Sequence, residues 1–243
     1  MTVLINIFFN EAQFNLNTHY SSMQNRFQHI LYSFLIMISF ASCKGLQKDT
    51  IVYRNDFEGG DLSKIIAGKI EDYNGSRVIG RYSENGFLLN LDNLPVHNMV
   101  QISFDLYIHD TWDGSAAKPV GPDIWIMNID GSSAIYSTIA NGSCTNCFQS
   151  YPVLQPSIIS GVFNFFNNKP NSNAIKTDLP GACKLKDSKG GTSLYRILRT
   201  IEHSQSTLDI GCYAQLEDPD PTNKNCNESW SVDNMVVKTI EFR

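Results

Sequence analysis

The chain has 243 residues, 18% of them charged, and its formal net charge is −5. Phosphate contacts need clustered Lys and Arg side chains, and this mildly acidic chain has no basic run. Its long apolar stretch, residues 30–41, is shorter than the roughly 20 residues that a helix needs to cross a membrane. The sequence therefore predicts neither a nucleic-acid-binding protein nor a protein that spans a membrane with a helix.

The apolar stretch instead has the features of an export signal. Arg26 supplies a positive charge before it, and Ala41 and Ser42 are the small residues expected before a cleavage site. Small residues directly before Cys43 resemble the lipobox of bacterial lipoproteins, in which that cysteine is lipidated and becomes the first mature residue. An ordinary signal peptide, or a buried helix that precedes a cysteine, is the alternative.

Residues 1–42 are accordingly predicted to be a signal peptide, with the true start at Met23. Glu11 and the polar and aromatic residues around it do not suit the start of a signal, whereas the sequence from Met23 does. The predicted mature protein is exported and held at the bacterial cell envelope, on the outer membrane, only by lipid on Cys43. The residues after Cys43 lack the acidic run that resembles a surface-export tag, which slightly favours the periplasmic face over the surface face.

Residues 43–49 are predicted to be the lipidated cysteine and a short tether, and residues 50–243 a single domain. In this domain apolar and polar residues alternate, which is the pattern of a strand with one buried face. Residues 99–108 and 208–216 show it most clearly, whereas residues 124–129 are apolar on both faces and predict a strand that is covered on both sides. Further strands are predicted at residues 51–56, 77–82, 87–91, 134–139, 162–166, 194–201 and 232–240.

Turn-forming pairs separate these segments, among them Asn74-Gly75, Asp113-Gly114 and Asp130-Gly131. No apolar segment after residue 43 keeps helical spacing for three turns. Short strands with regular turns predict an all-β sandwich or barrel.

The sequence has six cysteines, one of them the predicted lipidation site. An exported chain is in an oxidising compartment, where paired cysteines form disulfides. Cys212 lies in a predicted strand and Cys226 just before the last one, so we predict a disulfide between them. Cys144 and Cys147 could pair locally, or one of them could join Cys183, and one thiol remains in any arrangement. A zinc site would need a second ligand pair at similar spacing, which the sequence lacks.

Four segments together resemble a jelly-roll domain of the concanavalin A-like lectin/glucanase superfamily, across residues 50–243. They are NDFEGG at 55–60, ISFDLYIHDTWDG at 102–114, GPDIWIMNIDG at 121–131 and NESWSVDNMVV at 227–237. The last segment departs from the pattern, with Asn227 and Ser231 in place of an acidic residue and a glycine. The resemblance implies a jelly-roll β-sandwich of two antiparallel sheets.

The resemblance also implies a structural calcium ion near the junction of the first and last strands. Calcium binds six to eight oxygen atoms, commonly from carboxylates and backbone carbonyls. Carried over to this chain, the ligands would be Asp56 or Glu58 on the first strand and Asp233 on the last. Alternatively, Glu58 and Asp233 are turn and strand-end residues that accept hydrogen bonds from backbone amides.

Acidic residues lie close in sequence to all three tryptophans. Sugars bind by stacking on aromatic rings while carboxylates and amides take their hydroxyl groups. Trp112 lies in a predicted loop and is expected to be exposed, whereas Trp125 lies in an apolar run and is expected in the core. Trp230 could bind a sugar or serve as a packing residue. The predicted carbohydrate-binding residues are Asp110, Trp112, Asp113, Asp123 and Trp230.

No catalytic motif accompanies these residues. The glucanase signature Glu-x-Asp-x-x-Glu, which would place acids on one strand face, does not occur, and Gly-x-Ser-x-Gly and His-Glu-x-x-His are also missing. The sequence therefore predicts a non-catalytic carbohydrate-binding lipoprotein with a glycan partner. A structural or adhesive surface protein that binds another protein is the alternative, and a glycoside hydrolase ranks third.

Overall fold

The computed structural model describes residues 45–142, 147–152, 168–217 and 222–242. The predicted signal peptide, Cys43 and the predicted strand at residues 162–166 lie outside these ranges. Among the described residues, no helix has the length and apolar character needed to cross a membrane.

The described residues form β-strands and one short helix, α1. The strands are β1 (Leu46–Asn55), β2 (Ile65–Ile66), β3 (Ile70–Tyr73), β4 (Ser76–Tyr82), β5 (Phe87–Leu91), β6 (Met99–Asp110), β7 (Ile124–Ile129), β8 (Ser132–Thr138), β9 (Lys176–Pro180), β10 (Lys189–Glu202), β11 (Leu208–Gln215) and β12 (Glu228–Phe242), and α1 is Lys224–Asn227.

The strands form two antiparallel sheets. The seven-stranded sheet has the order β3-β4-β12-β6-β10-β9, with β1 paired to β12 as well, and the five-stranded sheet has the order β2-β5-β11-β7-β8. The chain passes repeatedly between the sheets, so that β4-β12-β6-β10 faces β5-β11-β7-β8, which is the strand order of a jelly roll. The prediction of an all-β jelly-roll sandwich is therefore confirmed.

The core lies between the two sheets and follows from strand alternation. On β6, Ile102, Phe104, Leu106 and Ile108 are buried in it. β7 is buried on both faces, as its continuous apolar sequence predicts. Ile126 faces away from the core cluster and is nevertheless only 1% exposed.

Two strands, β5 and β7, have the predicted bounds, while others extend further at their ends. β1 begins five residues earlier than predicted, at Leu46, where its backbone pairs with Phe242 of β12. Residues 46–49, predicted as tether, are therefore strand. The sequence does not reveal β2, β3 or β9, because they are short and lack a sustained alternation of buried and exposed residues.

The predicted disulfide between Cys212 and Cys226 is wrong. Cys226 on α1 is bonded to Cys183 instead, whereas Cys212 is a buried free thiol. Alternation along β11 turns the Cys212 side chain into the core, whereas Cys226 lies on α1 outside the core cluster. Cys147 is also disulfide-bonded, and Cys144, one of its predicted partners, lies outside the described residues.

Candidate functional site

The structure gathers the predicted sugar-binding residues at one end of the sandwich. Asp110 ends β6, Asp113 follows it, Asp123 directly precedes β7, and Trp230 lies near the start of β12. Antiparallel pairing of β12 with β6 brings Glu228 opposite Asp110, so residues distant in sequence meet at this end. We refer to it as the loop end.

All three tryptophans are fully buried, so the prediction that Trp112 is exposed is wrong. Its indole N–H donates to the carbonyl of Ser229 at 2.9 Å, and the indole N–H of Trp230 donates to the carbonyl of Ser83 at 2.9 Å. Burial removes a large apolar area from water once the single polar atom has a partner, which favours this placement. The core position expected for Trp125 is confirmed, and none of the three rings presents a face to a sugar.

The side chain of Asp110 is hydrogen-bonded within the protein. It is fully buried, and its carboxylate accepts hydrogen bonds from the backbone N–H groups of Cys183, at 3.1 Å, and Leu185, at 2.8 Å. Burial raises the pKa of Asp110, and these hydrogen bonds oppose that shift. The side chain thus anchors the loop that carries Cys183.

Three carboxylates, those of Asp113, Asp123 and Glu228, form an acidic cluster at the loop end, with ligand atoms within 4.8 Å of one another. Asp123 is fully buried and accepts hydrogen bonds from the backbone N–H groups of Asp113, at 2.5 Å, and Glu217, at 3.3 Å. Burial, opposed by these hydrogen bonds, raises the pKa of Asp123 to about 8. The sequence singles out two members of this cluster, but Glu228 is missed because it stands one position after the expected acid.

The predicted calcium ligands Asp56, Glu58 and Asp233 do not form such a cluster of three carboxylates. Ser76 Oγ donates to Glu58 Oε1 at 2.6 Å and lies 3.3 Å from Asp233 Oδ2, which brings these two acids near each other. Asp56 instead accepts the backbone N–H of Glu58 at 3.2 Å. Within the described ranges, the acidic cluster is the one group of three such side chains close enough to share an ion. Its oxygen donors fit a hard cation such as calcium.

The outer face of the five-stranded sheet carries a second candidate site that the sequence reading missed. Tyr213 on β11 and Tyr136 on β8 lie in register on either side of Ile126 on β7, and both face away from the core. Both tyrosines are half-buried, whereas Ile126 between them is 1% exposed. We call this set, with Asn128 and Gln215, the tyrosine platform.

Polar side chains hold the two tyrosines over β7. Asn128 Nδ2 donates to the hydroxyl of Tyr213 at 3.2 Å, and the hydroxyl of Tyr136 donates to Gln215 Oε1 at 3.4 Å. Burial and the neighbouring Tyr213 raise the pKa of Tyr136, so its phenol is a neutral hydrogen-bonding group at physiological pH. The platform therefore combines aromatic surface with amide and hydroxyl groups.

The sequence does hold a signal for this platform. Along β11, Leu208, Ile210, Cys212 and Ala214 face the core, so strict alternation turns Asp209, Gly211, Tyr213 and Gln215 outward. An aromatic residue at an outward strand position, with a polar residue such as Gln215 two positions away, indicates a surface with a binding role more directly than a loop tryptophan does.

No protein-family model matches the chain, and no curated protein matches it. Similar solved structures include dimeric latent PorU from Porphyromonas gingivalis, 10% identical, with 83% of this chain and 13% of that chain covered and a TM-score of 0.41. Another is the C-terminal CBM6 of LamC, a marine laminarinase from Zobellia galactanivorans, with 10% identity, coverage of 79% and 99%, and a TM-score of 0.32. A carbohydrate-binding module from Cellvibrio mixtus lichenase 5A, in complex with cellotriose, has 13% identity, coverage of 78% and 98%, and a TM-score of 0.32.

At these TM-scores and identities, the similarities assign neither a family nor a ligand to this chain. The jelly-roll assignment follows from its own strand order. Membership of the concanavalin A-like superfamily stays a prediction.

Proposed function

We propose that this protein is a carbohydrate-binding protein that holds a glycan on the tyrosine platform. The observation that carries the proposal is the placement of Tyr136 and Tyr213 on one outer sheet face, on either side of Ile126. Sugar rings have apolar C–H faces that pack on aromatic rings, while their hydroxyl groups need hydrogen-bond partners. Asn128 and Gln215 provide both donors and acceptors next to the two rings.

The proposal is tested by affinity electrophoresis of the full chain, carrying Cys43→Ser to keep it in solution, through gels that contain individual polysaccharides. Retention by at least one glycan is expected. Tyr136→Ala and Tyr213→Ala should each weaken that binding by about tenfold or more, which corresponds to about 1.4 kcal/mol of lost contact energy. Both residues lie outside the core cluster, so circular dichroism should show an unchanged fold.

Two further variants make the test specific. A Cβ atom at Gly211 would meet only Leu88 Cδ1, at 3.7 Å, so the backbone leaves room for a side chain there, and Gly211→Val would add one to the binding face. Loss of binding is expected. Leu198→Ala removes an exposed apolar side chain from the other sheet and should bind as the unsubstituted chain does. Retention that is unaltered in both tyrosine variants would contradict the proposal.

We also propose that the protein is exported and anchored by lipid on Cys43. Support comes from the sequence alone: the apolar stretch 30–41, Arg26 before it and the small residues at 41 and 42. Metabolic labelling with a fatty acid in a bacterial host should label the unsubstituted chain and not Cys43→Ser. Equal labelling of both would exclude this anchor.

A structural calcium ion is the third proposal, placed at the acidic cluster instead of at Asp56, Glu58 and Asp233. Two of its three carboxylates, those of Asp123 and Glu228, are buried, and a divalent cation would offset their mutual repulsion. The ion would link Asp123, directly before β7, to Glu228 at the start of β12, and it would take no part in sugar contact on the platform.

A further inference from the structure

We propose that the ligand of the tyrosine platform is an uncharged glycan that lies across the strands, and not a glycan bearing carboxylate or sulfate groups. This inference rests on the proposed function and adds the chemical class of the ligand. Three properties of the described residues carry it: the charge of the face, its hydrogen-bonding groups and its width.

The charge of the face disfavours an anionic ligand. The four strands β5, β7, β8 and β11 contain no Lys, Arg or His, and Asp209 is the one charged residue in them. Recognition of carboxylate or sulfate groups in proteins commonly relies on Arg or Lys, with Arg able to bind in a bidentate manner. An anionic glycan on this face would meet no cationic side chain from these strands and would be repelled by Asp209.

Two basic residues among the described ones near the five-stranded sheet are each paired with an acid. Lys118 Nζ lies 2.5 Å from Glu217 Oε1, close to Gln215, and Lys64 Nζ lies 3.2 Å from Asp92 Oδ2, near β5. The seven-stranded sheet differs, since β10 alone carries Lys189, Arg196 and Arg199. The lack of basic side chains is thus a property of the four strands β5, β7, β8 and β11 and not of all strands of the described sandwich.

The hydrogen-bonding groups of the platform match neutral hydroxyl groups. The amides of Asn128 and Gln215 each offer a donor and an acceptor, and the phenols of Tyr136 and Tyr213 do the same. A sugar hydroxyl also donates and accepts, so every group on the platform can be satisfied without an ion pair.

The width of the platform favours a chain of sugars over a single one. Tyr213 and Tyr136 lie two strands apart, which at the usual strand spacing of 4.7–4.9 Å is about 10 Å between backbones. This distance exceeds one sugar ring. An oligosaccharide or polysaccharide running from β11 over β7 to β8 would contact both rings.

The test compares neutral and anionic polymers on the full chain carrying Cys43→Ser. The neutral probes are mixed-linkage β-glucan, xylan and galactomannan, and the anionic probes are polygalacturonate, alginate and carrageenan. Retention by at least one neutral polymer and by none of the anionic ones is expected, with little change at high salt because no ion pair forms.

A charge substitution with a matched control sharpens the comparison. Gln215→Lys should raise the affinity for polygalacturonate by about tenfold or more at low salt, and high salt should remove the gain. Gln215→Met has a similar length without the charge and should show no gain. Binding of an anionic polymer that depends on Tyr136 and Tyr213 in the unsubstituted chain would overturn this inference and leave the proposed function standing. Failure to bind either class of polymer would overturn both.

Discussion

Asp123 shows how burial changes the chemistry of a single residue at the loop end. Its carboxyl group is fully buried beside Asp113, and its pKa rises from 3.8 to about 8. Between these two pH values the folded protein holds a proton that the unfolded chain has released. The free energy of unfolding is therefore highest below pH 3.8 as far as Asp123 is concerned, and falls as the pH rises toward 8.

We accordingly expect the protein, in buffer with a chelator, to lose stability between about pH 6.5 and about pH 8, by about 2 kcal/mol. Below pH 6.5 the buried His109 acts in the opposite sense, because burial lowers its pKa to about 3 and the unfolded chain takes up a proton that the folded protein does not. Urea unfolding at several pH values measures this loss. Asp123→Asn removes the titrating group and should flatten the curve, whereas Asp209→Asn, at an exposed position on β11, should leave the slope unchanged. A curve equally steep in Asp123→Asn would show that another group is responsible.

The same experiment tests the proposed calcium ion. An ion at the acidic cluster requires ionised carboxylates, so added calcium should raise the unfolding midpoint most at the upper end of the pH range and reduce the slope. The effect should be missing in Asp123→Asn. If calcium leaves the midpoint of the unsubstituted chain unchanged at pH 8, the proposal of calcium at this cluster is excluded.

For single residues, the sequence predicts which side chains lie close together at the loop end, but it does not predict which of them are accessible to solvent. The carboxylates of Asp113 and Asp123 do lie close together, because Asp113 follows β6 and Asp123 precedes β7 at the same end of the sandwich. Trp112 was wrongly expected at the surface, since a loop position says little about burial when the side chain is large and apolar. Tyr213 could have been found from the alternation of β11, whereas Tyr136 could not, because β8 has a register shift near its start.

The strands themselves were largely predictable. In long strands such as β6 and β11, strict alternation predicts which face is buried. The continuous apolar sequence of β7 predicts burial on both faces. Edge strands were not predictable: β3 and β9 each have a neighbour on one side only within their sheet, and most of their residues are at least partly exposed. Their position depends on pairing with a distant partner, which a local pattern does not record.

The disulfide between Cys183 and Cys226 links two elements at the loop end, across a sequence separation of 43 residues. A cross-link of this kind restricts the unfolded chain, and its loss commonly costs about 2–4 kcal/mol. We expect the free energy of unfolding of the double variant Cys183→Ser, Cys226→Ser to be lower by this amount. Its urea unfolding midpoint should be correspondingly lower.

Peptide mapping provides a second measurement on the same element. The fragment containing Cys183 should be linked to that containing Cys226, and Cys212 should react with a thiol reagent only after unfolding because it is buried in the core. A linkage between Cys212 and Cys226 would contradict the described register of β11.

On the scale of the whole domain, the jelly-roll order separates two kinds of surface. The acidic cluster and the Cys183–Cys226 disulfide lie at the loop end, where the chain crosses between sheets. The tyrosine platform lies on regular strands, where hydrogen-bonded backbones fix the positions of the side chains. A site on strands is more rigid than one on loops, so the glycan would meet a preorganised surface and lose less binding energy to ordering.

Fold class followed from the sequence because periodicity and turn chemistry are local signals. The binding face did not, since it depends on which strands become neighbours: Tyr213 and Tyr136 are brought together only because β11 and β8 both pair with β7. That arrangement is set by pairing between strands that are distant in sequence.

The central claim, that a glycan binds across this platform, is tested most directly by NMR. A neutral oligosaccharide that the protein retains would be titrated into ¹⁵N-labelled full chain carrying Cys43→Ser, and changes in the backbone amide signals mapped. The largest changes are expected on β7, β8 and β11, around Asn128, Tyr136 and Tyr213. Changes confined to the loop end, around Asp113 and Glu228, with an undisturbed platform would contradict it.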